Sequence, residues 1–428
     1  MYRDIFKRMI VEWLEKPLPV LIQRNVSLTL SKENIQAIIG PRRVGKTSIM
    51  FLTIEQLLGK KDRNEILFVD FEDNRLAEIS SNQLDELFVA HREITGVEPR
   101  YLFFDEIQEA PLWSKFIRRL HNMGKYFIVI SGSSSKLLSK EIATELRGRY
   151  ISTLLLPFSF NEFLQLKEFR YDKTIPFSEK KGTLLRLFDE YLSYGGFPLV
   201  VKKELSEKKD LVKAYYETTF YKDIVERYKV KSVDIMQALM NHLLDNNSCL
   251  FSISSFEKIL KERGAEVSKK TISLYLNHLE DAFFIFSSSK FSYSAKVRSL
   301  NPKKVYLSDN SFQTFLSPTF NPDNGKRLEA IVMQELKRRN TDTYYYKGKK
   351  ECDFILKRLT GLEAVQVTYA LTPTSKEREI NGLWEAMTEL KLSKGIILTF
   401  DQEENILKDD KRIVVTPVWK WLLEEQGT

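Results

Sequence analysis

Cysteine and histidine are scarce in this chain. Only Cys249 and Cys352 occur in 428 residues, and they lie far apart, so neither a disulfide framework nor a zinc site is indicated. The four histidines, His91, His121, His242 and His278, show no metal-ligand spacing. No apolar run approaches the length of a membrane span. The N-terminal stretch is interrupted by Arg3, Asp4, Lys7, Arg8 and Glu12, the pattern of an amphipathic helix rather than a signal peptide. These absences point to a cytoplasmic protein with no membrane partner. What remains, 43% hydrophobic and 29% charged, is ordinary for a globular chain of two or three domains.

The most specific stretch is Gly40-Pro41-Arg42-Arg43-Val44-Gly45-Lys46-Thr47, followed by Ser48. It has the form G-x-x-x-x-G-K-[ST], follows the apolar run Ile35 to Ile39 and opens a helical pattern. Glycines there let successive backbone N–H groups face a phosphate chain, and the helix N-terminus adds partial positive charge. The expected ligand is ATP, with Lys46 on its β- and γ-phosphates and the Thr47 hydroxyl on Mg²⁺. A second apolar run, Tyr101 to Phe104, ends in Asp105-Glu106. As a buried strand it delivers two carboxylates to the sheet edge where ligands of open α/β sheets collect. Asp105 is the expected second metal residue, and Glu106 the base that polarises the attacking water.

An additional strand, Ile66 to Phe71, is expected between the P-loop strand and the acid-bearing strand, the mark of P-loop proteins that use a glutamate beside the metal-binding aspartate. Ser80 to Ile94 has helical spacing with a capping serine. The strand Tyr126 to Ile130 ends in a serine run whose Ser131 or Ser133 is placed to sense the γ-phosphate. Arg147 and Arg149 flank Gly148, and either can serve as an arginine finger acting in trans, which predicts a homo-oligomer.

Six motifs together, namely Gly40 to Thr47, Phe103 to Gln108, Ser131 to Ser135, Leu146 to Arg149, Leu156 to Phe163 and Tyr194 to Pro198, resemble those of prokaryotic AAA+-type ATPases that are abundant in archaea and carry a C-terminal domain of uncharacterised function. The resemblance spans nearly the whole chain. It implies a helical lid-like region around Lys181 to Tyr228, in keeping with the helical spacing of Leu211 to Tyr228. It also implies that about Val305 to Trp421 is similar to the restriction-endonuclease-like PD-(D/E)xK fold. In that fold an aspartate and a Glu/Gln-x-Lys triplet surround Mg²⁺. The matching residues are Glu329, Asp353 and Gln366, but the triplet reads Gln366-Val367-Thr368 and lacks its lysine. Lys347, Lys349 and Lys350 are the candidates for a spatial substitute. Without one, the domain is expected to be a degenerate nuclease site used for binding or assembly.

Between these regions, Asp234 to Asp245, Ser255 to Arg263 and a Ser268-capped Lys269 to Phe283 have helical patterns. With Ala282 to Phe286 and Lys290 to Tyr293 as wing strands they compose a winged helix, whose recognition helix carries Lys269, Lys270, Thr271, Ser273, Tyr275 and Asn277. The net charge of +8 is concentrated here and beyond. Residues 252–304 and 326–358 each hold ten Lys/Arg against five Asp/Glu, so the rest of the chain is slightly acidic.

The expected architecture is therefore α/β, with four segments. Residues 1–165 form an AAA+-like P-loop core, 166–230 a helical lid, 231–304 a winged helix, and 305–428 a nuclease-like α/β domain. The expected function is an ATP-hydrolysing switch acting on DNA. The alternatives are an ATP-regulated metal-dependent nuclease and a nucleotide-controlled signalling or assembly scaffold.

Overall fold

The computed structural model describes residues 2–133, 148–318 and 323–424. It divides into two compact units, residues 1–155 and 156–428.

The first unit is built on consecutive buried apolar runs. They form β1 (Ile35–Ile39), β2 (Ile66–Asp70), β3 (Tyr101–Asp105), β4 (Phe127–Gly132) and β5 (Tyr150–Leu154). All neighbours are parallel, in the order β2-β3-β4-β1-β5. A parallel sheet needs both faces covered, which accounts for strands β1 and β3 being apolar and buried throughout. Helices α1 (Tyr2–Glu15), α2 (Lys46–Leu58), α3 (Glu86–Thr95) and α4 (Trp113–Asn122) surround it. Trp13 of α1 packs against Phe68 and Phe51, with centroids 5.2 and 6.1 Å away, and its Nε1–H donates to the Ile66 carbonyl at 3.3 Å.

Two expectations change in this unit. Strand β2 follows β1 in sequence but lies at the sheet edge, and the strand inserted between the P-loop strand and the acid-bearing strand is β4. Crossover connections do not bind parallel strands to sequence order. The helix expected from Ser80 begins only at Glu86, because Gln83 Oε1 takes the Ser80 N–H at 2.8 Å and closes a separate 3₁₀ turn at Ser81–Gln83.

The second unit opens with α5 (Phe160–Leu166), capped reciprocally. Ser159 N–H donates to Glu162 Oε2 at 2.8 Å, and Glu162 N–H to Ser159 Oγ at 3.3 Å. Next come α6 (Lys180–Tyr194), α7 (Pro198–Val201) and α8 (Leu205–Thr218), which continues as a π-helical turn, Thr219–Glu226. The Gly195-Gly196 turn between α6 and α7 is fixed by close approach. Gly195 has φ +71°, and a Cβ there would lie 1.8 Å from Asp309 Oδ1, whose other oxygen accepts the Gly196 N–H at 2.8 Å.

Helix α9 (Val233–Asp245) and β6 (Cys249–Phe251) precede α10 (Ile253–Glu262) and α11 (Lys269–Asp281); β7 (Ile285–Lys290), α12 (Ala295–Leu300) and β8 (Lys303–Leu307) follow. The expected strand at Lys290 to Tyr293 is absent. β7 runs through the serines at 287–289 instead, because Ser288 is buried and its Oγ donates to the Thr343 carbonyl at 3.2 Å. β7 then pairs with β8, which lies beyond α12. The remainder comprises α13 (Asn310–Leu316), α14 (Asn324–Arg338), β9 (Asp342–Lys347), β10 (Glu351–Arg358), β11 (Gly361–Val367), α15 (Lys376–Glu389), β12 (Lys394–Thr399), β13 (Glu404–Lys408), β14 (Lys411–Pro417) and α16 (Val418–Leu423). Its strands join β6 to β8 in one nine-stranded sheet, β13-β14-β12-β11-β10-β9-β7-β8-β6. The join is narrow, with only Ser289 opposite Tyr344 and Lys290 opposite Tyr345. Among the described residues no helix is long and apolar enough to cross a membrane.

Candidate functional site

Because β1 to β4 are parallel, their C-terminal ends share one edge, and the sequence loads that edge with polar groups. After β1 the chain turns sharply at Gly40, at φ +149°, where a Cβ would lie 1.9 Å from the Leu155 carbonyl oxygen. Arg43 and Gly45 also have positive φ, 66° and 94°, and Gly45 precedes the first residue of α2. Pro41, Arg42 and Val44 complete the loop. Arg42 Nη1 donates to Glu72 Oε1 at 2.6 Å, and the Val44 carbonyl accepts from Arg24 Nη1 at 2.7 Å. Ser48 lies in the first turn of α2.

Lys46 is buried, and its ammonium folds back over the loop. Nζ donates to the Pro41 and Gly40 carbonyls at 3.1 and 3.3 Å and stands 3.3 Å from Glu106 Oε1. Glu106 is held from other sides as well, since its Oε2 accepts from Gln108 Nε2 at 2.6 Å and from the Ser133 N–H at 3.2 Å. Its backbone is left-handed, φ 45°, a conformation that costs a non-glycine residue about 1 kcal/mol. Thr47 Oγ1 donates to Asp105 Oδ2 at 2.5 Å, and Ser131 Oγ donates to the other Asp105 oxygen. Ser131 Oγ also accepts the Glu106 N–H at 3.1 Å, so one hydroxyl ties both acids to the tip of β4.

The two carboxyls are driven apart electrically. Burial pushes Asp105 up, against the hydrogen bonds from Ser131 and Thr47. Burial also works to raise Glu106, but the charges of Lys46 and Arg42 and the Gln108 hydrogen bond outweigh it and hold Glu106 below the ordinary glutamate value. The donor set fits a nucleotide and a hard cation. Thr47 and Asp105 offer adjacent oxygens of the kind Mg²⁺ takes, and bound Mg²⁺ would neutralise developing phosphate charge. The loop presents a buried lysine held by two backbone carbonyls and the Glu106 carboxylate, positions that phosphate oxygens can take over.

Three neighbours of the site had no role assigned from the sequence. Arg24 comes from the irregular stretch before β1. Gln108 lies two residues after the acid. Asp70 ends β2 in register with Asp105, and the matching Asp at the ends of two apolar runs was its signal. Of the two arginine candidates, Arg149 is exposed and its Nη1 donates to Asn122 Oδ1, whereas Arg147 lies outside the described residues. Ser134 and Ser135 lie outside them too.

In the second unit Glu329 of α14, Asp353 of β10 and Gln366 of β11 come together, all buried. The expected lysine substitutes do not join them. Lys347 is drawn to Glu351 Oε2 at 2.8 Å, and Lys349 and Lys350 give their backbone N–H groups to Glu385 Oε1. Lys304 of β8 is there instead, with Nζ 2.8 Å from both Asp353 Oδ1 and Glu329 Oε1. Glu329 Oε1 also accepts from Tyr306 Oη at 2.7 Å, and Asp353 Oδ2 accepts the Val367 N–H at 2.9 Å. The Gln366 amide oxygen accepts the Asp353 N–H at 3.1 Å, and its Nε2–H donates to Glu379 Oε2 at 2.7 Å. An Mg²⁺ ion does not fit this set, because an ammonium already stands between the carboxylates.

Burial and the Asp353 charge push Glu329 up to about 8 from an ordinary 4.5. The folded chain therefore keeps a proton that the unfolded chain releases between those values, so stability falls as pH rises across that window. Glu329→Gln is expected to flatten this decline, worth a few kcal/mol at pH 8 to 9, as read from urea midpoints at pH 5 and pH 9.

At α11, Ser268 Oγ accepts the Thr271 N–H at 3.1 Å, and Lys269 and Lys270 are exposed on the first turn. Tyr275, which the expected recognition helix also carries, is buried, with its hydroxyl oxygen accepting the Ser232 N–H at 3.1 Å.

Fold and site define the class: the first unit is a P-loop domain of the AAA ATPase type, and residues 32–164 match the family described as AAA domain. The chain belongs to the same family as the uncharacterized protein MJ1544 of Methanocaldococcus jannaschii, with 37% identity over 432 residues covering 98% of this chain and 95% of that protein. An uncharacterized protein of Haemophilus influenzae is 29% identical over 347 residues, 81% of this chain and 85% of its own length. Residues 185–323 match a domain of unknown function, DUF8612. Among solved structures, the Walker-type ATPase PABY2304 of Pyrococcus abyssi is 13% identical with a TM-score of 0.42, covering 73% of this chain and 95% of its own. The ORC1 protein of Aeropyrum pernix in complex with DNA is 13% identical with a TM-score of 0.29, covering 79% and 94%.

Proposed function

We propose that this protein is an ATP-hydrolysing switch that acts on DNA. The observation that carries the ATPase reading is the Lys46–Glu106 pair, 3.3 Å apart, beside the Thr47–Asp105 pair at 2.5 Å. Nucleotide phosphates supply oxygens that displace the loop carbonyls and Glu106 from Lys46. Glu106 is then released, ionised, to accept a proton from the attacking water. Thr47 and Asp105 would hold Mg²⁺, which would neutralise phosphate charge, Ser131 ties Asp105 to the tip of β4, and Arg147 or Arg149 of a second copy would supply a finger.

In the second unit, residues 166–230 act as a lid-like helical segment, 231–304 as a winged helix, and 305–428 as a degenerate nuclease fold. The order α9, β6, α10, α11, β7, α12, β8, with β8 paired to both β6 and β7, supports the winged helix, and exposed Lys269 and Lys270 at the start of α11 support contact with DNA phosphates. Binding to duplex DNA is expected to weaken steeply with salt. Replacing both lysines by glutamate should lower the slope of log K against log salt by about 2, as measured by fluorescence anisotropy. Absence of salt-dependent binding by the intact chain would replace the DNA reading with a nucleotide-controlled assembly scaffold.

A further inference from the structure

The charged centre of the second sheet has no role in the nucleotide site and does not fit a metal. Three acids from two elements, Glu329 of α14 and Asp353 and Glu351 of β10, approach one point, with Lys304 Nζ 2.8, 2.8 and 3.4 Å from them. Carboxylates converging in this way are what a divalent cation takes from a protein. Among the described residues, however, no group of three or more His, Cys, Asp or Glu is arranged to hold a metal.

Lys304 is also not a flexible surface lysine that happens to lean in. Its backbone lies in mid-strand, opposite Leu250 of β6 on one side and Ser288 of β7 on the other. Its side chain is 5% exposed, and those of Glu329 and Asp353 are 7% and 9% exposed. Glu329 keeps its proton through neutral pH, so the buried charge that needs a fixed positive partner is the Asp353 carboxylate, and deleting that partner costs far more than the pair gains. The surrounding oxygens are committed too, to Tyr306 Oη, the Val367 N–H and the Asp353 N–H.

We propose that Lys304 is the resident cation of this sheet, its ammonium holding the position of a divalent metal, so that removing it creates a hard-cation site made by Glu329 and Asp353. Its second effect is mechanical. Lys304 lies on β8 and its partners on α14 and β10, so it spans the narrow β7–β9 join and locks the three-stranded part of the sheet to the rest.

The test uses the full chain without nucleotide, and compares wild type, Lys304→Met, Asp353→Asn and the double variant K304M/D353N by thermal unfolding and Mn²⁺ titration. Wild type is expected to show no Mn²⁺ binding that Asp353→Asn removes, since metal at Thr47 and Asp105 is common to both chains. Lys304→Met should unfold about 10 °C lower and recover most of that loss in millimolar Mn²⁺. K304M/D353N, with one fewer unpaired charge, should unfold above K304M and be indifferent to Mn²⁺. Asp353-dependent Mn²⁺ binding by wild type would overturn the proposal, as would a Lys304→Met chain that is as stable as wild type or that folds but ignores Mn²⁺. If Lys304→Met folds only when Mn²⁺ is present, the proposal stands. If it does not fold in either condition, K304M/D353N and the wild-type titration decide it.

Discussion

Glu106→Gln is expected to lower steady-state ATP turnover by about 100-fold or more while leaving nucleotide bound. The amide keeps the shape of the side chain and can accept from Gln108 Nε2, as Glu106 Oε2 does at 2.6 Å. It cannot accept a proton from water, and it no longer attracts Lys46 across the 3.3 Å now separating them. A lysine freed from that carboxylate is fully available to phosphate, so ATP affinity should be unchanged or tighter. The measurement is a pair: turnover by phosphate release, and affinity by equilibrium titration with a labelled nucleotide. Normal turnover in this variant would remove Glu106 from the role of base.

Lys46→Ala is expected to act in the opposite way, on binding before chemistry. Losing a buried ammonium from the phosphate site should weaken ATP about 100-fold, equivalent to ~3 kcal/mol. The variant also leaves Glu106 buried without its closest cation, so the side chain should shift from below the ordinary glutamate value to above it. That predicts a chain whose stability without nucleotide is also reduced, by about 1–3 kcal/mol. Lys46→Ala/Glu106→Gln should recover the stability but not the binding, which separates the two effects in one cycle.

The P-loop and its acids were legible because each demands a residue type that nothing else replaces. Gly40 must accommodate the Leu155 carbonyl within 1.9 Å of where a Cβ would be, and a lysine and two acids at the ends of apolar runs have few other uses. Sheet order was less legible. The sequence placed β2 between the P-loop and acid strands, whereas β4 occupies that position, because parallel neighbours are chosen by packing of the crossover helices rather than by succession.

The C-terminal cluster shows a different limit. Glu329, Asp353 and Gln366 could be named because their spacing of acid and amide along the chain resembles that of the PD-(D/E)xK fold. Lys304 could not, because it arrives from a strand 49 residues before Asp353 and sits in the run Lys303-Lys304-Val305, where a lysine pair looks like solvated surface. Lys303 does behave so, pairing with Glu280 at 3.2 Å, while its neighbour points to the other face and is buried. Strand alternation separates the two residues, and only the pairing of β8 with β6 and β7 determines which face is inside.

The decisive measurement is ATP turnover by the full chain at several protein concentrations, with and without duplex DNA, for wild type and Glu106→Gln. Wild-type turnover should be stimulated by DNA, its specific rate should rise with protein concentration as a second copy supplies an arginine, and both should be lost in the variant. Turnover that is equal in the two chains, or absent from wild type under every condition, would rule out an ATPase that uses Glu106 as its base.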